Sequence, residues 1–229
     1  MSRRKSRTED LLLTNWQDVT PYERLLWEHA GPGGMRNLLK VGLECFAEAG
    51  FHGTSTREIA SRAGMSPTAM YVHFKSKEEL LFHIAMVLVK AAYENLAEVA
   101  RIPGDNVARL HNLARAYTEF HARMAAAAGV TNFEIRSLND AHRKSALEYH
   151  LKSEAFFRTC LEEGRASGDF HFLNLSATLT SIMSVILSVC RWYQLGGRLS
   201  PEAVGRLYAD MVVSMARSET ARATSGDRE

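Results

Sequence analysis

One short stretch in the first half of the chain limits the possible folds most, because it carries several helix start signals in close succession. Ser55 and Glu58 have capping-box spacing, in which the serine hydroxyl accepts the backbone N–H three positions on. Gly64 allows the left-handed backbone conformation that ends a helix in a tight turn. Ser66 is followed by Pro67, and a serine cap with proline at the first helical position opens a second helix.

A third helix start follows at Ser76 and Glu79, which repeat the capping-box spacing. Residues 53–80 therefore predict two short helices joined by a glycine turn and followed by a third helix. This is the helix-turn-helix arrangement, whose second helix lies in the major groove when such a protein binds DNA. An ordinary helical hairpin in a protein core is the alternative that the bare pattern leaves open.

The second of these helices carries side chains suited to a DNA groove. Its compact residues can approach base edges, whereas Tyr71 and His73 can reach phosphates, and Lys77 stands at the start of the next helix. Basic residues cluster around the same stretch although the net charge of the chain is only +2, so a nucleic-acid footprint has to be local. The predicted DNA-contacting residues are Arg36, Thr54, Thr56, Arg57, Ser66, Pro67, Thr68, Ala69, Tyr71, Val72, His73 and Lys77.

Residues 35–80 resemble the DNA-binding domain of the TetR family of bacterial repressors. The matching motifs are Phe46-Ala47-Glu48-Ala49-Gly50-Phe51, Ile59-Ala60, Ala63-Gly64-Met65-Ser66, Met70-Tyr71-Val72-His73-Phe74 and Lys75-Ser76-Lys77-Glu78-Glu79-Leu80. The resemblance implies phosphate contacts from the tyrosine, histidine and lysine named above. It implies base contacts from Thr68 and Ala69.

The composition fits a globular protein of a reducing compartment. Of the 229 residues, 46% are hydrophobic, which is enough for a core. The three cysteines are far apart, so we expect small buried hydrophobic residues, with a thiol redox sensor as the alternative. The chain begins without an apolar signal segment, and the uncharged stretch 172–190 holds too many serine and threonine residues for lipid. We therefore expect a cytoplasmic protein without a membrane partner.

Helix signals continue along the chain, and no strand pattern is visible. The predicted fold is all-α, with an N-terminal helix-turn-helix three-helix domain followed by a helical ligand-binding and dimerisation domain. The expected boundaries are residues 1–32 for a basic arm with a short helix, 33–80 for the DNA-binding domain, 81–218 for the effector domain and 219–229 for a disordered tail. Within the effector domain, one helix is expected to run from about Asp105 to Gly129.

Two helices near the end of the chain, after Asn174 and Ser200, indicate self-association. The first is apolar nearly all round, and such a helix must be covered on several sides. We expect both helices to pack against the same two helices of a second copy and form a four-helix bundle. A monomer core is the alternative. The family resemblance implies the dimer, because TetR-like repressors present two recognition helices to successive major grooves. Leu179 and Val212 are the expected interface positions.

The effector domain is similar to a TetR subgroup that controls fatty-acid and steroid breakdown, several members of which respond to acyl-CoA thioesters. The matching motifs are Phe133–Leu138, Glu162–Phe170, Trp192-Tyr193 and Gly196–Glu202. Methionine and aromatic side chains make adaptable pockets, although they also fill ordinary cores. The predicted ligand-binding residues are Phe82, Met86, Tyr117, Phe120, Met124, Phe133, Arg136, Leu147, His150, Phe156, Met183 and Leu187.

The sequence predicts a DNA-binding regulator and not an enzyme. It has no phosphate loop, no nucleophile motif and no paired carboxylates. Its nine histidines lack metal-ligand spacing, so we expect no cofactor and no metal; a metal-sensing site and a structural helical protein are the alternatives. The predicted function is a repressor that binds a pseudo-palindromic DNA operator as a homodimer and is released by a small hydrophobic effector, such as an acyl-CoA thioester. A repressor of an efflux system that responds to drug-like compounds is the alternative.

Overall fold

The computed structural model describes residues 33–217, and the all-α prediction is confirmed across them. The helices are α1 (Gly33–Gly53), α2 (Thr56–Arg62), α3 (Pro67–His73), α4 (Lys77–Val99), α5 (Asn106–Arg123), α6 (Ala125–Glu134), α7 (Asp140–Ser167), α8 (Leu175–Leu187), α9 (Val189–Trp192) and α10 (Pro201–Ala216). A short 3-10 helix at Ile135–Ser137 follows α6. The predicted basic arm at 1–32 and tail at 219–229 lie outside the described residues.

The predicted helix starts around the turn are confirmed by hydrogen bonds. The hydroxyl oxygens of Ser55, Ser66 and Ser76 accept the backbone N–H groups three residues on, at 3.1, 3.1 and 3.0 Å. Gly64 has a φ of 68°, so the turn between α2 and α3 uses a conformation that favours glycine. Within α1, Gly50 has a φ of 71° and interrupts the regular helix. These local signals determine where α2, α3 and α4 begin.

One predicted helix is divided in the structure. We expected a single helix from Asp105 to about Gly129, but α5 ends before Met124 and α6 starts after it. Met124 has a φ of −102° and a ψ of 28°, which are not helical values. Gly129 then continues α6 instead of ending a helix, since a single glycine inside a helix is unfavourable by only about 1 kcal/mol.

The described residues form two compact units. The first contains residues 33–91 and 124–149, and the second contains 92–123 and 150–217. The first unit includes the whole helix-turn-helix, whose small size would otherwise provide little core. Its fully buried side chains include Leu38, Ile59, Met70, Phe74 and Leu80.

In the second unit, α5 is the central helix and packs closely along α10. A methyl group added to Gly205 of α10 would lie 2.5 Å from Cγ of Glu119 and 3.0 Å from the carbonyl oxygen of Arg115. These distances are shorter than a carbon contact allows, so the close approach of the two helices requires glycine here. Helix α5 is buried on nearly all sides, and its buried residues include polar ones.

The stability of this second unit is expected to depend on pH through His121. The side chain is 4% exposed, and burial lowers its pKa from 6.5 to about 4. The His121 ring takes up a proton more readily in the unfolded chain than in the folded one. The contribution of the neutral ring to the free energy of unfolding is therefore complete above pH 6.5 and is lost as the pH falls to about 4. The free energy of unfolding should fall by up to about 3 kcal/mol from this residue over that range. Denaturant titrations at several pH values check this, and an equally steep pH dependence in His121→Phe would contradict it.

The cysteines agree with the expectation of buried hydrophobic residues. Cys45 and Cys160 are buried, Cys190 is half-buried, and all three are free thiols. Burial raises the pKa of the Cys45 and Cys160 thiols to about 11. A thiol that stays protonated is a poor nucleophile, which speaks against the redox-sensor alternative for these two residues.

Two described helical stretches, Lys77–Val99 and Leu175–Trp192, are long and apolar enough to cross a membrane by length and composition alone. Of their most apolar parts, 56% and 28% respectively is buried inside the protein. A core helix of a soluble protein meets the same criterion, so these stretches are weak indications of a membrane span.

Candidate nucleic-acid interface

The turn between α2 and α3 is held in place by contacts from α1. The side chain of Asn37 donates a hydrogen bond from Nδ2 to the carbonyl oxygen of Ala63, at 3.0 Å. The guanidinium of Arg62 bridges Glu48 of α1, at 2.7 Å, and Glu58 of α2, at 2.9 Å. These contacts fix α2 and the turn against α1, and rigid support of this kind is what a helix that reads DNA requires.

Helix α3 buries one side and leaves the other in solvent. Met70 is fully buried, whereas Tyr71 is 49% and Val72 is 80% exposed. A valine this exposed contributes little to the core, and its methyl groups are available to a thymine methyl group in the major groove. Ala69 is half-buried, and the other exposed residues of the helix and its cap are Ser66, Pro67, Thr68 and His73. The residues predicted to face DNA along α3 are therefore accessible.

Residues of α1 and α2 flank this exposed side. The Tyr71 hydroxyl lies 3.3 Å from the Thr56 hydroxyl, so the ring is oriented by α2. Arg57 is exposed, and Arg36 and Thr56 are half-buried. The His73 ring lies against the backbone of α1, where a methyl group on Gly34 would be 3.3 Å from its Nε2. The predicted phosphate-contacting residues around α3 are thus positioned by their neighbours.

Thr54 does not share this accessible surface. It is only 3% exposed, and its hydroxyl donates back to α1 from the loop between α1 and α2. The acceptors are the carbonyl oxygens of Cys45, at 3.0 Å, and Gly50, at 2.8 Å. The side chain therefore stabilises the end of α1 and has no surface to offer to DNA, which corrects the expectation from sequence.

Lys77 has a structural role that the sequence did not indicate. Its Nζ donates to the carbonyl oxygens of Phe51, at 2.5 Å, and Thr54, at 2.7 Å. The same ammonium lies 4.2 Å from the centre of the Phe51 ring. An ammonium group has three donors, so two of them are used to join α4 to the end of α1 and to the loop that follows it. A phosphate contact through the third donor stays a prediction.

Lys77→Met is expected to destabilise the protein, because it keeps the aliphatic stem but leaves two carbonyl oxygens without their donor. We expect the free energy of unfolding to fall by about 2 kcal/mol, with a loss of DNA affinity as a consequence. Lys75→Met, at an exposed position between α3 and α4, is the matched control and should unfold like the wild type. If Lys77→Met has the wild-type melting temperature, the positioning role is wrong.

Two carboxylates tie the helix-turn-helix to α6 and the start of α7 in the same unit. Glu134 of α6 accepts the backbone N–H of Phe51 at 3.1 Å. Glu78 of α4 accepts the backbone N–H of Asn139 at 2.9 Å and lies 2.9 Å from Nδ1 of His142. A displacement of α6 or α7 therefore reaches α1 and α4 through direct hydrogen bonds.

The predicted ligand-binding residues fall in both units. Those in the first unit are Phe82, Met86, Met124, Phe133, Arg136 and Leu147, and those in the second are Tyr117, Phe120, His150, Phe156, Met183 and Leu187. Phe133 and Leu147 are exposed, so they do not line an enclosed apolar wall as expected. Arg136 is also exposed, and its contact with a charged group of the ligand stays a prediction.

Within the second unit, the Tyr117 and Phe157 rings are 5.9 Å apart, and Phe120 is fully buried beside them on α5. Sequence reasoning missed Thr118, His121 and Ser153, which are buried polar residues of this unit. Of these, only His121 had a spacing signal, since it lies four residues after Tyr117 on α5; Thr118 directly follows Tyr117, and Ser153 lies on α7.

The positions expected to form a dimer interface are wrong. Leu179 is 2% and Val212 is 0% exposed within a single chain, because α8 and α10 pack these faces against α5. The exposed apolar residues of α10 are instead Leu207, at 50%, and Met211, at 49%. Trp192 of α9 is 47% exposed and its indole N–H donates to the Tyr208 hydroxyl on α10.

Two protein-family models match most of the chain. Residues 38–84, which contain α2, the turn and α3, match the family model described as bacterial regulatory proteins of the tetR family. Residues 103–216 match the model of the tetracyclin repressor-like C-terminal domain. The two models therefore cover both the helix-turn-helix and the helices from α5 to α10.

Individual proteins are also similar to this chain over most of its length. The HTH-type transcriptional repressor KstR2 of Mycolicibacterium smegmatis is 28% identical over 182 residues, which cover 77% of this chain and 87% of the relative. A bacterial regulatory protein in the tetR family from Rhodococcus RHA1 has the same fold, with a TM-score of 0.78 and 28% identity, over 82% of this chain and 98% of that chain.

A third protein shares the fold at lower identity. AibR, whose crystal structure contains isovaleryl coenzyme A and operator DNA, has a TM-score of 0.70 and 22% identity, over 80% of this chain and 97% of that chain. The relatives with related sequences are transcriptional regulators and not enzymes. The motifs around α3, the two family models and these relatives agree: the chain belongs to the TetR family of bacterial transcriptional repressors.

Proposed function

We propose that this repressor binds a pseudo-palindromic double-stranded DNA operator as a homodimer, with one α3 in each of two successive major grooves. The observation that carries the proposal is the exposure of Tyr71 and Val72 on a helix whose opposite side, at Met70, is fully buried. In this arrangement Thr68 and Val72 contact base edges, and Tyr71 and His73 contact phosphates. The operator lies in the bacterial cytoplasm, so the regulator acts there.

The proposed dimer joins the outer faces of α8 and α10 from two copies. Leu207 and Met211 are one turn apart and half-exposed on α10, so they form an apolar strip along one face. On α8, Thr180 and Ser184 are also one turn apart and exposed. Small side chains let two helices approach closely, and an isologous four-helix bundle places each strip against its symmetry mate.

The effector is proposed to be an apolar molecule attached to coenzyme A, derived from a fatty acid or a steroid fragment. The resemblance to a subgroup that responds to acyl-CoA thioesters supports this, as does the similarity to the repressor KstR2. AibR, which was solved with isovaleryl coenzyme A and operator DNA, has the same fold. Buried aromatic side chains of α5 and α7, Tyr117, Phe120 and Phe157, offer apolar surroundings in this chain. Regulation of an efflux system by a drug-like compound is the second candidate.

Release from DNA requires that the effector binds the released state more tightly than the DNA-bound state. A coupling free energy of about 1–3 kcal/mol changes DNA affinity roughly 5- to 150-fold. The hydrogen bonds from Glu134 to Phe51 and from Glu78 to Asn139 offer a route by which a shift of α6 or α7 moves α1 and α4. A shift of α4 changes the distance between the two recognition helices in the dimer.

Fluorescence anisotropy of a labelled operator tests this proposal. We expect decanoyl-CoA to lower the affinity of the protein for the operator at least about fivefold, while free decanoic acid and a cationic dye leave it unchanged. Release by the dye alone would reject the thioester effector and favour the efflux candidate. Failure to bind any palindromic DNA more tightly than random DNA would reject the operator itself.

A further inference from the structure

Two polar side chains buried in α5 have unused hydrogen-bonding capacity. Thr118 is 0% and His121 is 4% exposed. Among residues 33–217, the Thr118 hydroxyl has no hydrogen-bond partner. The hydrogen bond that His121 makes within the described part of the chain uses Nδ1 and leaves Nε2 open. Residues three positions apart on a helix are neighbours, with Cβ atoms roughly 5–6 Å apart. A buried hydroxyl without a partner is rare, so Thr118 requires an explanation.

The His121 ring is neutral, and its tautomer follows from its contacts. Nδ1 lies 2.8 Å from the carbonyl oxygen of Tyr117, which can only accept, so Nδ1 carries the hydrogen and Nε2 presents a lone pair. Burial keeps the pKa of His121 at about 4, and the charge of His150 acts in the same direction. Nε2 can therefore accept a hydrogen bond from a donor.

The surroundings of this pair do not suit an anion. Burial raises the pKa of Tyr117, and the negative charge of Glu154 acts in the same direction. The Tyr117 hydroxyl is hydrogen-bonded to the side chain of Ser153. Glu119 is buried on the same helix and pairs with Arg115 at 3.3 Å. A carboxylate placed here would need its own positive partner to offset its loss of hydration. An uncharged hydroxyl group has no such requirement.

We propose that Thr118 and His121 bind a hydroxyl group of the effector, so that this regulator distinguishes hydroxylated apolar molecules from their unsubstituted parents. The ligand hydroxyl donates to Nε2 of His121 and accepts the hydrogen of the Thr118 hydroxyl, which satisfies both side chains. This inference rests on the proposed function, which supplies the effector, and adds its chemical class. A buried water molecule could satisfy the same two groups, and the test separates the two cases.

Calorimetric titration of the full chain with matched thioesters provides the test. The probes are decanoyl-CoA, 3-hydroxydecanoyl-CoA and 10-hydroxydecanoyl-CoA, which place the hydroxyl near to and far from the thioester. We expect the wild type to bind one of the hydroxylated probes about tenfold or more tightly than decanoyl-CoA, since a site built for a hydroxyl rejects ligands without it. Thr118→Val keeps the side-chain shape and removes the hydroxyl, and His121→Phe removes the acceptor. Each should abolish the preference.

Thr131 of α6 provides a matched control. It is 3% exposed, and its hydroxyl also has no hydrogen-bond partner among the described residues. Thr131→Val should keep the preference for the hydroxylated probe. Both valine variants should melt at or above the wild-type temperature, because each removes a buried hydroxyl that has no protein partner. This comparison separates loss of ligand recognition from a general change in the core.

Equal affinity of the wild type for all three probes would overturn the hydroxyl site and leave the proposed effector class intact. A preference that persists in both Thr118→Val and His121→Phe would also overturn it, with water as the remaining partner of the two groups. If no thioester binds the wild type, the proposed effector fails and the hydroxyl site fails with it.

Discussion

A glutamate in place of Val72 is expected to abolish operator binding and leave the fold unchanged. The valine is 80% exposed, so the substitution removes no core contact. In the proposed complex, the new carboxylate would face base edges and phosphates, where it loses hydration and is repelled. We expect the affinity for the operator to fall by about 100-fold or more, which corresponds to about 3 kcal/mol. Fluorescence anisotropy measures the affinity, and circular dichroism checks the fold.

Ile102→Glu is the matched control for that substitution. Ile102 is 50% exposed and lies between α4 and α5, so the variant gains the same charge outside the set of residues proposed to contact DNA. It should bind the operator within about threefold of the wild type, since the proposed complex gives this residue no contact with DNA. Wild-type operator affinity in Val72→Glu would contradict the docking of α3 in the groove.

Met211→Arg is expected to convert the dimer to a monomer. The side chain is 49% exposed in the single chain, so an arginine there does not disturb the core of one protomer. In the proposed bundle it would lie near its symmetry mate, and burial of two unpaired charges is strongly unfavourable. Because two linked recognition helices bind far more tightly than one, we expect operator affinity to fall by at least about 100-fold. Sedimentation velocity measures the oligomeric state directly.

Leu151→Arg on α7 is the control for Met211→Arg, because Leu151 is an apolar residue of similar exposure, 59%. This variant should remain a dimer with wild-type DNA affinity. If Met211→Arg also sediments as a dimer at micromolar concentration, the interface lies elsewhere. If both variants become monomers, the interface includes α7 and the assignment to α8 and α10 is incomplete.

The helix starts could be predicted from sequence because each depends on residues only three positions apart. Ser66 caps α3 through the N–H of Ala69, and Ser200 caps α10 through the N–H of Ala203. A proline follows each of these serines and fixes the first helical residue. Such signals are local, so the order and the limits of most helices follow without knowledge of the tertiary structure.

The roles of several site residues could not be predicted, because they depend on partners distant in sequence. Lys77 donates to carbonyl groups of Phe51 and Thr54, which lie at the end of α1 and just after it, more than twenty positions earlier. Likewise, Leu179 and Val212 are apolar in either a monomer core or a dimer interface, and only packing against α5 places them inside one chain. The sequence shows which side chains are apolar or charged, and the tertiary structure determines which residues each one contacts.

The helix break at Met124 shows a further limit. Nothing in its residue type marks the end of α5, and the glycine that follows at position 129 lies inside α6. The buried polar pair on α5, Thr118 and His121, was also missed, since polar residues at core spacing are indistinguishable in sequence from residues on a solvated face.

Selection of DNA from a random pool by the purified full chain tests the central claim most directly. Sequencing of the retained DNA should reveal an inverted repeat whose half-sites are centred about 10 base pairs, or a multiple of one helical turn, apart. The same selection with Met211→Arg should lose the repeat. Retention of random DNA without any enriched sequence, or of a single half-site without its inverted mate by the wild type, would contradict a dimeric repressor that reads an operator through α3.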